Sequence, residues 1–443
     1  MAILIINGKI LTQDQDRPFI DGGAVAIDGK TIADIGDTEI LRAKYADAEI
    51  LDARGRLVMP GFINTHMHYY STFARGGNFG GKPATTFFEV LDGLWWKLDK
   101  MLTLDDVYYS AIGPMIDEAR MGVTSVIDHH ASPYAITGSL FKIAEAAEHI
   151  GIRSNLCYET SDRDGEAVAI AGIKENIDFV KHCKDKDDDM VRGLVGMHAQ
   201  MTISDKTLER LMNEAEAIGA GYHIHAAEGI EDVVDAVAKY GQRVIERLYE
   251  RKVLNDKSIA VHCVNVTEDE IGMLADSGVA VAHCPESNMS NAVGISPLAA
   301  MFERGVLVGM GTDGYCADMT QSLRATHALH KLAARIPSVF WGEPPKMLFE
   351  NNRTIMNRYL NGETGRLAAG CYADVIICDY DPPTPLNGDT WYGHILFGVS
   401  GLRVATTVVN GRVVMKEREL VGIDEEKLMA ESRRLAEALW KRI

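Results

Sequence analysis

An apolar run that ends in two histidines one residue apart, Pro60-Gly61-Phe62-Ile63-Asn64-Thr65-His66-Met67-His68, is the strongest local signal in the chain. On a strand, residues i and i+2 share a face, so both imidazoles can turn toward one metal ion. Such pairs also occur with no ligand role, and this one gains weight from its company. The segment Gly221-Tyr222-His223-Ile224-His225-Ala226-Ala227-Glu228 reads as a second strand end that offers His225 as a third neutral ligand and Glu228 three residues later. A metal with an open position lowers the pKa of water, and a carboxylate beside it can move the protons. Glu228 suits that catalytic task. The same position also suits a first-turn glutamate favoured by the helix dipole. His223 reads as a core or supporting histidine.

Two more strand ends complete the set: Ala260-Val261-His262-Cys263 and Val308-Gly309-Met310-Gly311-Thr312-Asp313. Aspartate after an apolar strand is a common loop starter. Beside three histidines, however, Asp313 supplies an anionic ligand that can also accept a proton from water, and so counts as both ligand and catalytic group. His262 is a candidate for polarising that water or handling a leaving group; a buried, hydrogen-bonded histidine is the plain alternative.

These residues must be positioned by repeated elements. Short β-branched apolar runs end near His68, Asp128, Tyr158, His198, His225, His262, His283 and Asp313, and helical patterns such as Ser204 to Ile218 and Glu231 to Tyr249 separate several of them. Eight strands in βα alternation predict an α/β fold, a (β/α)₈ TIM barrel with its chemistry at the C-terminal strand ends. A doubly wound sheet would need a phosphate-binding glycine loop after its first strand, where this chain carries histidines. Before residue 55 and after residue 365 the pattern changes to strand, turn, strand: Asn7-Gly8, Asp28-Gly29 and Asn410-Gly411 are hairpin signals. The two ends predict one small β-sandwich. The expected division is 1–58 and 365–420 for that sandwich, 59–364 for the barrel, and 421–443 for a closing helix. The mixed-charge run Lys184 to Asp189 reads as a solvated loop.

The chain has 443 residues with 47% apolar and 24% charged side chains, which is globular composition. With 63 acidic against 45 basic residues the net charge is -18, which disfavours nucleic acid and anionic membrane as partners. No run of 18 or more apolar residues occurs, so no membrane partner is expected. Seven scattered cysteines without a CxxC pair read as reduced thiols in a cytoplasmic protein. The expected partner is a small molecule.

Pro60-Gly61-x-x-x-x-His66-x-His68, His225-x-x-Glu228, His262 and Gly311-Thr312-Asp313 together resemble the mononuclear aminohydrolases of the amidohydrolase superfamily, the branch of triazine chlorohydrolases and guanine and cytosine deaminases. The stretches around His68 to Arg75 and Val126 to Pro133 are most similar to SsnA-type aminohydrolases. The resemblance runs over essentially the whole chain and implies the same barrel and split sandwich. It implies one divalent metal per subunit, Zn2+ ahead of Fe2+, on His66, His68, His225 and Asp313, with Glu228 as proton shuttle and His262 beside the water. Strand four ends in Val195-Gly-Met-His198 and offers no lysine to bridge a second metal. His198 matches a substrate-contacting histidine of related deaminases, and His283 the segment that closes the pocket. His130 and Asn288 are further substrate-binding candidates, although either of His129 and His130 could face the pocket mouth. Trp95 and Trp96 could form a hydrophobic lid or an oligomer contact. The expected reaction is hydrolytic deamination of an amino-substituted purine, pterin, pyrimidine or triazine, with ring-opening hydrolysis of a cyclic amide or amidine, or a non-catalytic binding role, as alternatives. Family members are commonly homodimers or larger.

Overall fold

In a computed structural model, residues 2–80, 82–399 and 403–443 are described. Eight parallel barrel strands appear where the apolar runs predict them: Phe62–Met67, Val123–His130, Arg153–Tyr158, Val191–Gly193 continued by Val195–Ala199, Tyr222–Ala226, Ile259–His262, Ala280–His283 and Leu307–Met310. Strands one to three are buried at every position, because helices cover the outside and packed side chains fill the inside, which is why they read as unbroken apolar runs. Hydrogen bonding runs through two arcs, strands one to the first part of four and the second part of four to eight.

The arcs meet at two seams. Leu194, between the halves of strand four, donates to the Leu156 carbonyl at 3.0 Å, and Thr160 bridges Met197 in parallel. At the other seam Met67 bridges Asp313, and the amides of Thr312 and Asp313 both reach the His66 carbonyl at 3.0 Å. Gly311 permits this approach, since a Cβ there would lie 2.8 Å from the His66 oxygen. The seam thus sets Asp313 directly against His66 and His68.

The two ends of the chain pair into one sheet of nine strands. Leu57–Pro60 forms its middle, antiparallel to Val375–Cys378 and parallel to Ile3–Leu11. Ile5, Val25, Ile27, Val58, Val375 and Val408 share one buried cluster, so the sheet folds over its own core, with hydrogen bonding continuous between its layers. The helix Glu425–Trp440 buries Leu428, Leu435 and Leu439, and its Ser432 hydroxyl donates to the Tyr109 carbonyl at 3.2 Å.

Three local expectations change. Asn7-Gly8 is not a hairpin turn but lies within the strand Ile3–Leu11, where its pairing with Phe19–Asp28 shifts register and Asn7 holds φ 57°. Glu231 to Tyr249 is two helices, Ile230–Tyr240 and Val244–Glu250; Gly241 stands between them at φ 67° and ends the first as a left-handed cap. The run Lys184 to Asp189 is not a free loop. A helix continues through Lys186, and Asp189 is buried, accepting from Tyr372 Oη at 2.5 Å and Asn361 N at 2.7 Å. No helix is long and apolar enough to cross a membrane among the described residues.

Candidate active site

His66 and His68 leave strand one on the same face, as the pleat requires, and meet His225 from strand five. The side chains of His66, His68, His129 and His225 offer ring nitrogens within 4.8 Å of one another, as do the ligand atoms of His66, His262 and Asp313. Asp313 Oδ1 lies 3.3 Å from His68 Nε2 and 3.8 Å from His66 Nε2. His262 Nε2 stands 3.7 Å from Asp313 Oδ2 and 3.4 Å from Glu228 Oε2.

Hydrogen bonding fixes the form of these rings. His68 Nδ1 meets the His129 carbonyl, and His225 Nδ1 meets the His198 carbonyl at 2.7 Å. Carbonyls only accept, so both Nδ1 atoms carry hydrogen. Burial holds both imidazoles below their usual pKa, His225 well below, and the neutral rings therefore turn bare lone pairs toward each other, Nε2 to Nε2, at 3.2 Å. Two lone pairs at that distance repel unless a cation lies among them. His66 Nε2 and His262 Nε2 are likewise buried with no hydrogen-bond partner. Neutral imidazoles with one carboxylate fit a divalent ion such as zinc or iron.

Strain marks the same strand ends. Ala227, His262 and Asp313 hold φ of 51°, 69° and 58°, a region that side chains other than glycine seldom adopt and that collects at functional positions. Burial, then the neighbouring Asp313, push the Glu228 carboxyl well above the usual range, and Asn291 Nδ2 lies 3.4 Å from Glu228 Oε1.

A cavity that opens to solvent, enclosing about 840 Å³ with the open space at its mouth included, is lined by His68, His198, His225, Glu228, Asp313, Trp95 and Trp96. The tryptophans form a wall with Phe87, Phe88 and Leu91. Trp96 also carries the Arg163 guanidinium 4.9 Å from its ring centre, and Arg163 holds Asp99 at 2.8 Å.

Other expected residues do not line the cavity. Asn288 Oδ1 accepts from His262 Nδ1 at 2.9 Å, a support for the imidazole rather than a lining group. Strand alternation turns His129 toward His66, His68 and His225 and sends His130 to the opposite side, where it meets Ser132 Oγ at 2.9 Å. His283 faces His330, Nε2 to Nε2 at 3.3 Å. His223 pairs with His66 Nδ1 at 3.0 Å. Among the lining residues that went unread in the sequence, Glu159, just past strand three, sits 3.3 Å from His68 Nδ1 and 3.9 Å from His198 Nε2. Its signal was a polar residue directly after a strand end, the same sign that marks the other groups.

The model of the amidohydrolase family matches residues 57–414, and an imidazolonepropionase-like composite domain matches residues 23–48. The chain is 30% identical over 446 residues to a 5'-deoxyadenosine deaminase of Methanosarcina barkeri, covering 100% of this chain and 99% of that one. It is 28% identical over 442 residues to a 5-methylthioadenosine/S-adenosylhomocysteine deaminase of Pelotomaculum thermopropionicum, covering 98% of each. Among solved structures, an adenosine deaminase of Xanthomonas campestris with bound zinc superposes with a TM-score of 0.85 at 23% identity, over 99% of this chain and 98% of that one. A mutant atrazine chlorohydrolase of Arthrobacter aurescens, complexed with zinc and atraton, gives 0.84 at 21% identity, over 98% and 100%.

Proposed function

Because the chain belongs to the amidohydrolase family, we propose that it is a metal-dependent aminohydrolase that replaces the amino group of an N-heterocycle by oxygen from water, an adenosine-type purine first among the candidate rings. The observation that carries this reading is the pair of Nε2 lone pairs of His68 and His225 facing each other at 3.2 Å beside Asp313. The deaminase names of the relatives support the purine.

A divalent cation, zinc ahead of iron, held by His66, His68, His225 and Asp313 would bring the pKa of water toward neutrality and supply the nucleophile. The chain's own residues do the rest. Glu228, kept protonated by burial, gives its proton to a ring nitrogen, which makes the adjacent amine-bearing carbon electrophilic. Its carboxylate then takes a proton from the water and passes it to the amine; as the C–N bond breaks and ammonia leaves, the proton of the new C–OH group returns to Glu228 and the carbonyl forms. His262 donates from Nδ1 to Asn288, so its Nε2 accepts from the water and orients it. His198 presents its ring to the cavity while its Nδ1 meets Thr202 Oγ1 at 2.9 Å, which suits contact with the heterocycle. The flat walls of Trp95 and Trp96 suit its faces.

Exposed Leu332, Trp341 and Phe397, at 76%, 48% and 65% exposure, support a homodimer or larger assembly. Seven unpaired cysteines support a reducing cytoplasmic setting.

The test is elemental analysis of purified protein together with an ammonia-release screen over amino-substituted purines, pterins, pyrimidines and triazines. About one zinc or iron per chain, with ammonia and an intact ring, is the expected result. Two metals per chain, or a ring-opened acid without ammonia, would move the assignment to cyclic amide or amidine hydrolysis.

A further inference from the structure

The polar side chains of the cavity wall are of restricted kinds. Apart from imidazoles, the indole N–H groups of Trp95 and Trp96, and the hydroxyl and amide groups of Tyr70, Ser71, Ser287, Asn291 and Tyr315, they are carboxyl groups, and among the described residues none of the lining side chains is Lys or Arg. Asp313 and Glu228 belong to the catalytic cluster, and Asp232 is occupied by the amides of Ala227 at 3.0 Å and Met201 at 2.9 Å. Two acids remain to meet a ligand: Glu159, 4% exposed on the inner wall, and Glu231, in the first turn of the helix Ile230–Tyr240. Arg163 is not among the lining residues; its Nη2 pairs with Asp99 and its guanidinium lies 4.9 Å from the Trp96 ring centre, while its Nη1 is buried without a partner. The same cavity is lined by the apolar side chains Phe87, Phe88, Leu91, Trp96 and Met201, with Phe87 beside Glu231 at Gly229.

We propose that this cavity selects amino-substituted rings whose substituent is uncharged and apolar, and turns away those whose substituent ends in a phosphate or carboxylate. The inference rests on the aminohydrolase reading and narrows its substrate. An anionic group brought into the cavity loses its water, meets aromatic surface and carboxyl groups, and finds no Lys or Arg on the lining to balance its charge. An alkyl or thioether substituent meets the apolar wall at no such cost. The wall discriminates chiefly by adding an unfavourable element against the anion, which is an efficient route to specificity.

Matched pairs that keep the ring and change only the tail test it: 5'-deoxyadenosine against adenosine 5'-monophosphate, and 5'-methylthioadenosine against 5'-S-(carboxymethyl)-5'-thioadenosine, whose tail ends in a lone carboxylate. Binding is measured by calorimetry on zinc-loaded Glu228→Gln protein, so that turnover does not intrude, and ammonia release is followed on the unaltered enzyme. The expected result is binding of each uncharged member at least about thirtyfold tighter than its anionic partner, a gap that Glu231→Lys narrows about fivefold for the phosphate pair. Equal or tighter binding of the anionic members would overturn the proposal, and so would a gap that Glu231→Lys leaves unchanged. Selective binding with no ammonia would keep the selectivity and remove the deaminase reading. Ammonia released equally from both members of a pair would keep the deaminase reading and remove the selectivity.

Discussion

Glu228 and Asp313 approach the same nitrogen of His262, at 3.4 Å and 3.7 Å, which is the geometry the proposed proton transfers require. Replacing Glu228 by Gln keeps its shape and removes its proton exchange. The expected loss in kcat is about 10²- to 10⁴-fold, with metal content and KM little changed; near-normal turnover would remove the shuttle role. Asn288 acts one step further back. Asn288→Ala deprives His262 Nδ1 of its acceptor and lets the ring turn, which should lower kcat about tenfold, equivalent to ~1.4 kcal/mol, while KM stays near that of the unaltered enzyme. A substrate-contacting asparagine would instead shift KM. The histidines, Glu228 and Asp313 were legible in the sequence because each ends an apolar run, where a barrel keeps its chemistry. Glu159 carried the same sign but belongs to no short motif, and choosing between His129 and His130 needed the pleat of strand two.

The segment between strand one and the helix Leu104–Met121 forms the aromatic wall through its short helices, and its far end is anchored by charge. Asp99, 1% exposed, holds Arg163, and Lys100 holds Asp164 at 2.9 Å. Asp99→Asn weakens the hold on Arg163, and with it the support beneath Trp96. KM should rise about fivefold, roughly 1 kcal/mol, with kcat within about twofold because no reacting group moves. An unchanged KM would show that the wall stands without this anchor. Sequence periodicity located the barrel strands and the helix at 205–216 well, since each buries a regular face. It carried helix signal past Gly241, where a single backbone conformation decides, and it read Asp189 as solvated because charge alone does not disclose a partner 183 residues away at Tyr372.

At the scale of the whole molecule, the barrel and the terminal sheet are joined through a buried ion pair. Arg153, opening strand three, places Nη2 2.9 Å and 3.1 Å from the two oxygens of Asp374, which precedes the sheet strand Val375–Cys378. The side chains are 1% and 0% exposed, and the Asn410 amide reaches the same carboxylate at 2.6 Å. Tyr372 covers the guanidinium, its ring centre 4.6 Å away. Nothing in the sequence announced this pair, because 221 residues separate its members. Removing one partner strands a charge away from water, so Asp374→Ala should cost about 3–5 kcal/mol in urea unfolding. Replacing both by apolar groups of similar size, Arg153→Met with Asp374→Leu, leaves no uncompensated charge, and should recover much of that loss. A double variant as unstable as Asp374→Ala would mean that the remaining donors to Asp374, above all Asn410 N, and not the pairing with Arg153, hold the sheet to the barrel.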